Sequence, residues 1–510
     1  MRETADLRRC RIWLFLAALA VRLLMAALIR EPGYMDTAYY TVQGIRLAEG
    51  AGATEPYLWN YLDNPAGMPN PAFGYWMPLP SVLAAPFWAV GHTFFAAQIP
   101  FALLSALLAA LGAQIAWEIT GRMRHFWAAG ALLIFSAYFF PFWTLPETFA
   151  PFALFGALCL WAGGRYWESR ASRWAAIAAG AATLAYLTRS DGLILVAMAL
   201  GLPLLRRDGK GFLLAGLVTA LCFGPWIAYN LIARGMLLPA GGAQTLWLTN
   251  YDDTFCYRCD LSLRAYLAWG WPAILQSKLD ALAWNLRTLL VVIGYIFLAP
   301  LAAIGGWRLR DKPALVLAWA YLLLLFGAMT FAFSFAGPRG GFLHSAGALL
   351  PFIVTAGLVG VDRAVAWAGG KRGWNVPQAQ AVFAVGFVLL AATMSAMASS
   401  PKLADWRQAN TLYRQVGAWL AERDVEPCPI MVGSPPNFWY VTRMPSLMAP
   451  NEDAAATAQV ARRYGACRLL LEANHPRPLA DLYTSERTAD WDLVTEWGPA
   501  KLYRLVRRGP

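Results

Sequence analysis

Few residues in this sequence can do polar chemistry, and they gather at a handful of places. Two are carboxylates: Asp36 in Glu31-Pro32-Gly33-Tyr34-Met35-Asp36-Thr37-Ala38-Tyr39-Tyr40, and Glu147 directly after Leu145-Pro146. A carboxylate just beyond an apolar run can take a proton from a hydroxyl held at a membrane surface. It can equally serve the helix that begins there, since Asp caps backbone N–H groups and an acidic side chain suits the positive end of the helix dipole. As a pair, Asp36 and Glu147 offer a base with a partner, or two ligands for a divalent metal.

Two further corners are basic. Leu187-Thr188-Arg189-Ser190-Asp191-Gly192-Leu193 separates two apolar arms of only about 15 residues each, too short to cross about 30 Å of hydrocarbon, so Arg189 and Asp191 are expected below the surface. Pairing between them would meet the cost of burying charge; holding a phosphate is the functional alternative. Gly337-Pro338-Arg339-Gly340-Gly341-Phe342-Leu343-His344 places an arginine and a histidine at another corner. Arginine binds pairs of phosphate oxygens through its planar fork, and an ordinary loop arginine needs no ligand at all. Arg22, inside the first apolar run, either faces a polar cavity or snorkels to the surface.

The stretches Trp59-Asn60-Tyr61-Leu62-Asp63-Asn64 and Asn70 to Pro80 are rich in Trp, Tyr, Asn and Pro, which stack on sugars and bind hydroxyls but also anchor helices at an interface. Tyr39, Trp59, Asp63, Tyr75 and Asp191 are the expected sugar or acceptor contacts. Of the seven cysteines, Cys10, Cys159 and Cys222 lie in or beside apolar runs as packing residues. Cys256, Cys259, Cys428 and Cys467 lie in polar segments without a second CxxC or paired histidines nearby, so disulfides are expected ahead of zinc. Asp252-Asp253 reads as the start of a turn or a calcium ligand pair.

The elements that must carry these groups are membrane helices. Of 510 residues, 58% are apolar and 14% charged, and the 24 Trp, 27 Phe and 20 Tyr supply interfacial aromatics. A net charge of +12 would raise nucleic acid as a partner in a soluble protein, but here the basic residues sit in short connections between apolar runs, so none is expected. The runs 12–29, 94–117, 126–143, 148–164, 174–188, 192–205, 212–233, 284–307, 313–335, 342–361 and 379–398 give about eleven spans. Arg122/Arg124, Arg165/Arg170/Arg173, Arg206/Arg207/Lys210, Arg308/Arg310/Lys312 and Lys371/Arg372 all fall on one side of that alternation, together with the N-terminal tail. Basic loops stay inside, so the N-terminus is expected in the cytoplasm, and the loops 30–93 and 234–283 and the C-terminal segment outside the plasma membrane. Residues 1–398 form the expected membrane domain. Residues 399–510, with 26 of the 72 charged side chains, are expected as a small α/β domain: helices at 410–422 and 453–464, strands at 429–433 and 468–471, and a turn at Ser434-Pro435-Pro436-Asn437.

An acidic residue soon after the first span, a long first loop closing in a Pro-rich stretch, the Pro146-Glu147 corner and the Thr188-Arg189-Ser190-Asp191-Gly192 corner together resemble the GT-C membrane glycosyltransferases, the relatives of protein O-mannosyltransferases and of the lipid A aminoarabinose transferase. The resemblance covers the layout of roughly the first 350 residues. It implies transfer of a hexose or pentose from a polyprenyl-phosphate donor to a hydroxyl of a glycan, lipid or protein at the outer face, with inversion at the anomeric carbon. Asp36 matches the base of the first outer loop, Glu147 the second acidic corner, and Gly337-Pro338-Arg339 the basic segment near the donor phosphate, which Arg189, Arg339 and His344 would bind. Asp36-Thr37 stands where the family often has Asp-Glu, and Met77-Pro78-Leu79-Pro80 where it has His-Pro-Pro-Leu. No cofactor is required by this reading, and a divalent metal at the carboxylates is an open option. A lipid or solute transporter, with paired broken spans and a midplane site, and a non-catalytic membrane scaffold are the rival readings.

Overall fold

Residues 2–239, 241–423 and 428–506 are described by a computed structural model of the chain. Among them, helices at Asp6–Leu28, Phe94–Thr120, Gly209–Arg234, Pro313–Ala332, Gly337–Arg372 and Val376–Glu422 are long and apolar enough, by length and composition, to cross a membrane. A helix satisfies its backbone groups internally, as hydrocarbon demands. The chain opens with α1 (Arg2–Leu28), α2 (Met35–Ala48), α3 (Leu79–Gly91) and α4 (Phe94–Thr120). Thr93 caps α4 by accepting the Ala96 N–H at 3.1 Å. Arg22 does not snorkel. It is fully buried, donates to the Leu133 carbonyl at 3.0 Å, and lies over the rings of Phe140 and Trp143.

Several expected spans are shorter or broken. The run 126–143 yields α5 (Met123–Ile134) and then a 3-10 turn at Ala137–Phe142, because Ala137 takes φ 49° and gives its N–H to Ser395 Oγ instead of continuing the helix. After α6 (Phe149–Ser169) comes a hairpin of α7 (Ser172–Thr188) and α8 (Leu193–Leu205), whose 17 and 13 residues rise only about 25 and 20 Å. Helix α9 (Gly209–Arg234), capped by Asp208 on the Gly211 N–H at 2.9 Å, precedes the second long loop with its short helices α10 (Gly241–Gln244) and α11 (Leu263–Ala268). The run 284–307 is interrupted as well: α12 (Trp271–Arg287) passes into a π-helical stretch at Thr288–Ile293, and the chain restarts as α13 (Ala299–Arg308) behind Leu298. Then follow α14 (Pro313–Gly327), α15 (Phe342–Ala346), α16 (Leu350–Arg372) and α17 (Val376–Gln408). Helices α13 and α16 touch backbone to backbone; a Cβ on Gly305 would lie 1.8 Å from the Ala356 carbonyl oxygen, and one on Gly360 1.9 Å from that of Leu301.

The polar part of the chain is not bounded at residue 398. Helix α17 runs unbroken through that position, and α18 (Thr411–Glu422) follows it closely. The first long loop holds β1 (Thr54–Glu55), paired with β3 (Asn70–Pro71), and between them β2 (Tyr57–Leu58). Strand β2 joins β4 (Ile430–Val432), β5 (Ser446–Met448), β6 (Arg468–Leu471), β7 (Trp491–Trp497) and β8 (Ala500–Leu505) in one sheet of order β2-β5-β4-β6-β8-β7. Strands β2, β5, β4 and β6 are parallel, with Tyr57 opposite Ser446, while β7 and β8 form an antiparallel hairpin. The expected turn at 434–437 opens a helix, α19 (Pro435–Thr442), because two prolines fit a first helical turn where N–H groups have no partner. Helices α18 and α19 cover one face of the sheet through Val416, Leu420 and Phe438; α20 (Ala454–Tyr464) covers the other through Ala458, Ala461 and Tyr464. The sulfurs of Cys256 and Cys259, and of Cys428 and Cys467, are paired, and Cys10, Cys159 and Cys222 are free.

Candidate active site

Asp36 does not cap α2. The helix begins at Met35 with Tyr34 at the cap position and no side-chain cap bond, leaving Asp36 inside the first turn. Burial pushes its carboxyl up to about 6, against the pull of the Arg189 charge. Glu147 lies one residue before Thr148, the residue that leads into α6, and is 1% exposed. Its Oε2 accepts the Tyr34 hydroxyl, and its Oε1 lies 3.5 Å from His344 Nδ1. Burial, and then the Asp36 charge, hold the Glu147 carboxyl well above the usual range; the Tyr34 hydrogen bond and Arg189 offset this only in part. The two carboxylates and Arg189 therefore share one electrostatic site. His344 is fixed by a 2.6 Å contact from Nδ1 to Thr148 Oγ1 and by stacking on Phe149 at 3.9 Å.

Arg189 and Asp191 pair at the α7–α8 corner, with Nε 3.3 Å from Oδ1 and Nη2 3.4 Å from Oδ2. Ser345, which sequence reasoning passed over, completes a triangle: its Oγ donates to Asp191 Oδ2 at 2.5 Å and accepts from Arg189 Nε at 3.1 Å. The pairing leaves Arg189 within electrostatic reach of Asp36, Glu147 and Tyr75. Arg339 is exposed at the rim, its guanidinium 4.9 Å from the ring of Tyr251, whose hydroxyl in turn feels the charge of Asp36. Tyr34 and Tyr251 were also missed. Each stands beside a residue with evident chemistry, two positions before Asp36 and one before Asp252, and that proximity was the available signal.

Three expected sugar contacts are drawn elsewhere. Tyr39 is fully buried; its hydroxyl donates to Glu55 Oε1 at 2.7 Å and accepts the Phe73 N–H at 2.9 Å, leaving nothing for a ligand. Trp59 is 4% exposed and stacked on Trp76 at 3.9 Å, so its ring face is occupied. Asp63 is salt-bridged to Arg234 at 3.5 Å, and Arg234 also donates to the Pro71 and Ala72 carbonyls at 2.6 and 2.7 Å, strapping the first long loop to the end of α9. Trp59, Asp63 and Tyr75 border a recess of about 20 Å³, room for a water rather than a sugar. Glu55 is a buried carboxylate that sequence reasoning missed; burial pushes it up to about 7, opposed by the Tyr39 hydrogen bond.

The C-terminal segment holds the approach to Asp36. The side-chain amides of Asn410 and Asn437 both donate to the Pro32 carbonyl, at 3.0 and 3.3 Å, and Arg414 pairs with Glu31. Gly33 passes against Trp406 so tightly that a Cβ would lie 2.2 Å from its ring. Asp253 accepts backbone N–H bonds from Thr249 and Asn250, which is the turn role of the Asp252-Asp253 pair. Among the described residues no group of three or more His, Cys, Asp or Glu side chains forms a metal-ligand set. Asp36 and Glu147 would supply two carboxylates to a divalent ion, and Tyr34 already takes one Glu147 oxygen.

No protein-family model matches the chain, and no curated protein matches it. Solved structures do, two of them over nearly the full length of both partners. The crystal structure of ArnT from Cupriavidus metallidurans in the apo state is 15% identical, covers 97% of this chain and 98% of its own, and superposes with a TM-score of 0.57. ArnT from the same organism bound to undecaprenyl phosphate is also 15% identical, with coverage of 98% and 99% and a TM-score of 0.54. The chain thus has the fold of ArnT, membrane helices and terminal sheet together, as the likeness to GT-C enzymes predicts.

Proposed function

We propose that this chain is an integral-membrane glycosyltransferase that moves a sugar from a polyprenyl-phosphate donor to an acceptor hydroxyl at the outer face of the membrane. The observation that carries the reading is the convergence of Asp36, Glu147 and Arg189 in one electrostatic site, in a fold shared with a protein solved with undecaprenyl phosphate bound. Asp36, ionised at neutral pH even at about 6, takes the acceptor hydroxyl proton. The hydroxyl oxygen bonds to the anomeric carbon from the side opposite the phosphate, the carbon–phosphate-oxygen bond breaks, and the bond pair leaves with the phosphate, inverting the centre. Arg189 and Arg339 neutralise that leaving group, so no general acid is required opposite the base. Glu147 and Tyr34 act as positioning residues for the Asp36 turn.

The same-side basic connections support an inside N-terminus and an outside terminal domain. The test is mass spectrometry of lipid extracts from cells with and without the protein, followed by transfer with purified protein and the lipid that accumulates. The expected result is a polyprenyl-phosphate sugar that builds up in the deletion strain and is consumed by wild-type protein. Identical lipid pools and no consumption would overturn the reading.

A further inference from the structure

The terminal sheet forms a second recess, separate from the carboxylate site. Strand β4 leads into α19 on one face and β5 leads into α20 on the other, so neighbouring parallel strands send their connections opposite ways. In open α/β sheets that divergence leaves a crevice at the carboxyl ends of the strands, where ligands bind. A cavity of about 410 Å³ lies at that place, within the size range of small-molecule sites. Ser434 after β4, Asn451 after β5, and Glu472 and Asn474 after β6 line it.

The lining is built for hydroxyls. Glu472 Oε1 accepts the Tyr413 hydroxyl at 2.6 Å, and the carboxylate lies over Gly433, where a Cβ would come within 2.8 Å of it. Asp252 supplies a second carboxylate, from the second long loop; that loop is clamped to the sheet domain because Glu452 Oε1 accepts the Tyr257 and Arg258 N–H groups at 3.0 and 2.5 Å and Asn451 N donates to the Phe255 carbonyl at 3.2 Å. The carboxylates and amides accept from and donate to a polyol, and His475 and Arg477, which also line the cavity, add further donors. The position is equally informative. Met35 and Asp252 border the cavity, while their chain neighbours Asp36 and Tyr251 belong to the carboxylate site.

We propose that this cavity binds a sugar residue of the acceptor, which makes the acceptor a glycan and the terminal domain its reader. The inference rests on the transfer reaction proposed above. A glycan seated by Glu472, Asn474 and Asp252 extends past Met35 and presents its next hydroxyl to Asp36.

The test uses full-length protein in lipid nanodiscs and, as probe, oligosaccharides released by mild acid from the host cell envelope and separated by size, followed by saturation-transfer NMR. One fraction is expected to bind wild type and Asp36→Asn alike. Asn474→Ala and Asp252→Ala, at exposed positions where folding is not at stake, should weaken binding about tenfold, the loss expected for one hydrogen bond to a charged or tightly held partner. Glu472→Gln, which keeps the Tyr413 contact, should do the same. Absence of binding by every fraction, or equal binding by all three cavity variants, overturns the proposal. Failure of the transfer reading has a different signature, binding without turnover; failure of this one shows as turnover with an unchanged acceptor KM in Asn474→Ala and Asp252→Ala.

Discussion

Tyr34 donates its hydroxyl hydrogen to Oε2 of Glu147, 113 positions further along the chain. The contact ties the segment entering α2 to the segment entering α6, so the two carboxylates are set in one frame. Removing the hydroxyl strips a buried carboxyl of a partner, at a cost of about 1–3 kcal/mol. Tyr34→Phe should lower Tm and reduce kcat about tenfold while donor KM holds. Wild-type Tm and kcat in that variant would show that the contact does not organise the site.

For Asp36 the pH profile is diagnostic. Its carboxyl is pushed up to about 6 by burial, and a base works only when ionised, so kcat/KM should fall as pH drops through about 6. Stability runs the other way. The folded chain binds this proton more tightly than the unfolded chain, whose carboxylate titrates near about 4, so the stabilising contribution is full below that value and is lost as pH rises through about 6. Asp36→Asn should lose about 100-fold or more in turnover, remove the acid limb of the profile, and raise Tm at pH 8 relative to wild type. Near-wild-type transfer by Asp36→Asn would move the role of base to Glu147.

Arg189 carries a stability role and a proposed chemical one, and a double variant separates them. Arg189→Ala leaves Asp191, whose side chain is only 9% exposed, without its cation, which costs about 3–5 kcal/mol for a buried pair, less here because the arginine is 21% exposed. Arg189→Met combined with Asp191→Leu removes both charges and should regain most of the lost Tm, yet remain inactive with the donor. Arg189→Lys should recover only part of donor use, lacking the planar fork. Full activity of the neutral double variant would exclude Arg189 from phosphate binding.

The orientation prediction uses Glu422, whose side chain is 74% exposed at the end of α18. With Cys10, Cys159 and Cys222 replaced by serine, a Glu422→Cys protein should react with a membrane-impermeant maleimide in intact cells. Labelling that appears only after permeabilisation would invert the topology.

The long helices were legible because a period of apolar residues over 20 or more positions has few other solutions, and α4 and α9 follow their runs closely, while α17 continues past its run to Gln408. The runs at 126–143 and 284–307 misled for the same reason: hydropathy cannot register that Ala137 gives its N–H to Ser395, more than 250 positions away. Asp36 was found from its place after the first span, but it reads as a cap; the contacts that hold the entry to α2, Tyr34 with Glu147 and Pro32 with Asn410 and Asn437, are non-local in sequence. Tyr39 and Trp59 have the composition of a sugar site, and nothing local tells an aromatic that stacks on Trp76 from one that awaits a ligand. Strand β2 is two residues long, below what alternation can reveal.

That short strand sets a timetable for the molecule. Tyr57 and Leu58 pair with Ser446 and Leu447, so the ribosome must add about 390 residues between the synthesis of one edge and the arrival of its partner, about 20–80 s at ordinary elongation rates. Pro32 waits as long for Asn410 and Asn437. Throughout that interval the turn bearing Asp36 lacks its terminal supports, and its frame is complete only when the last strands of the chain have been made.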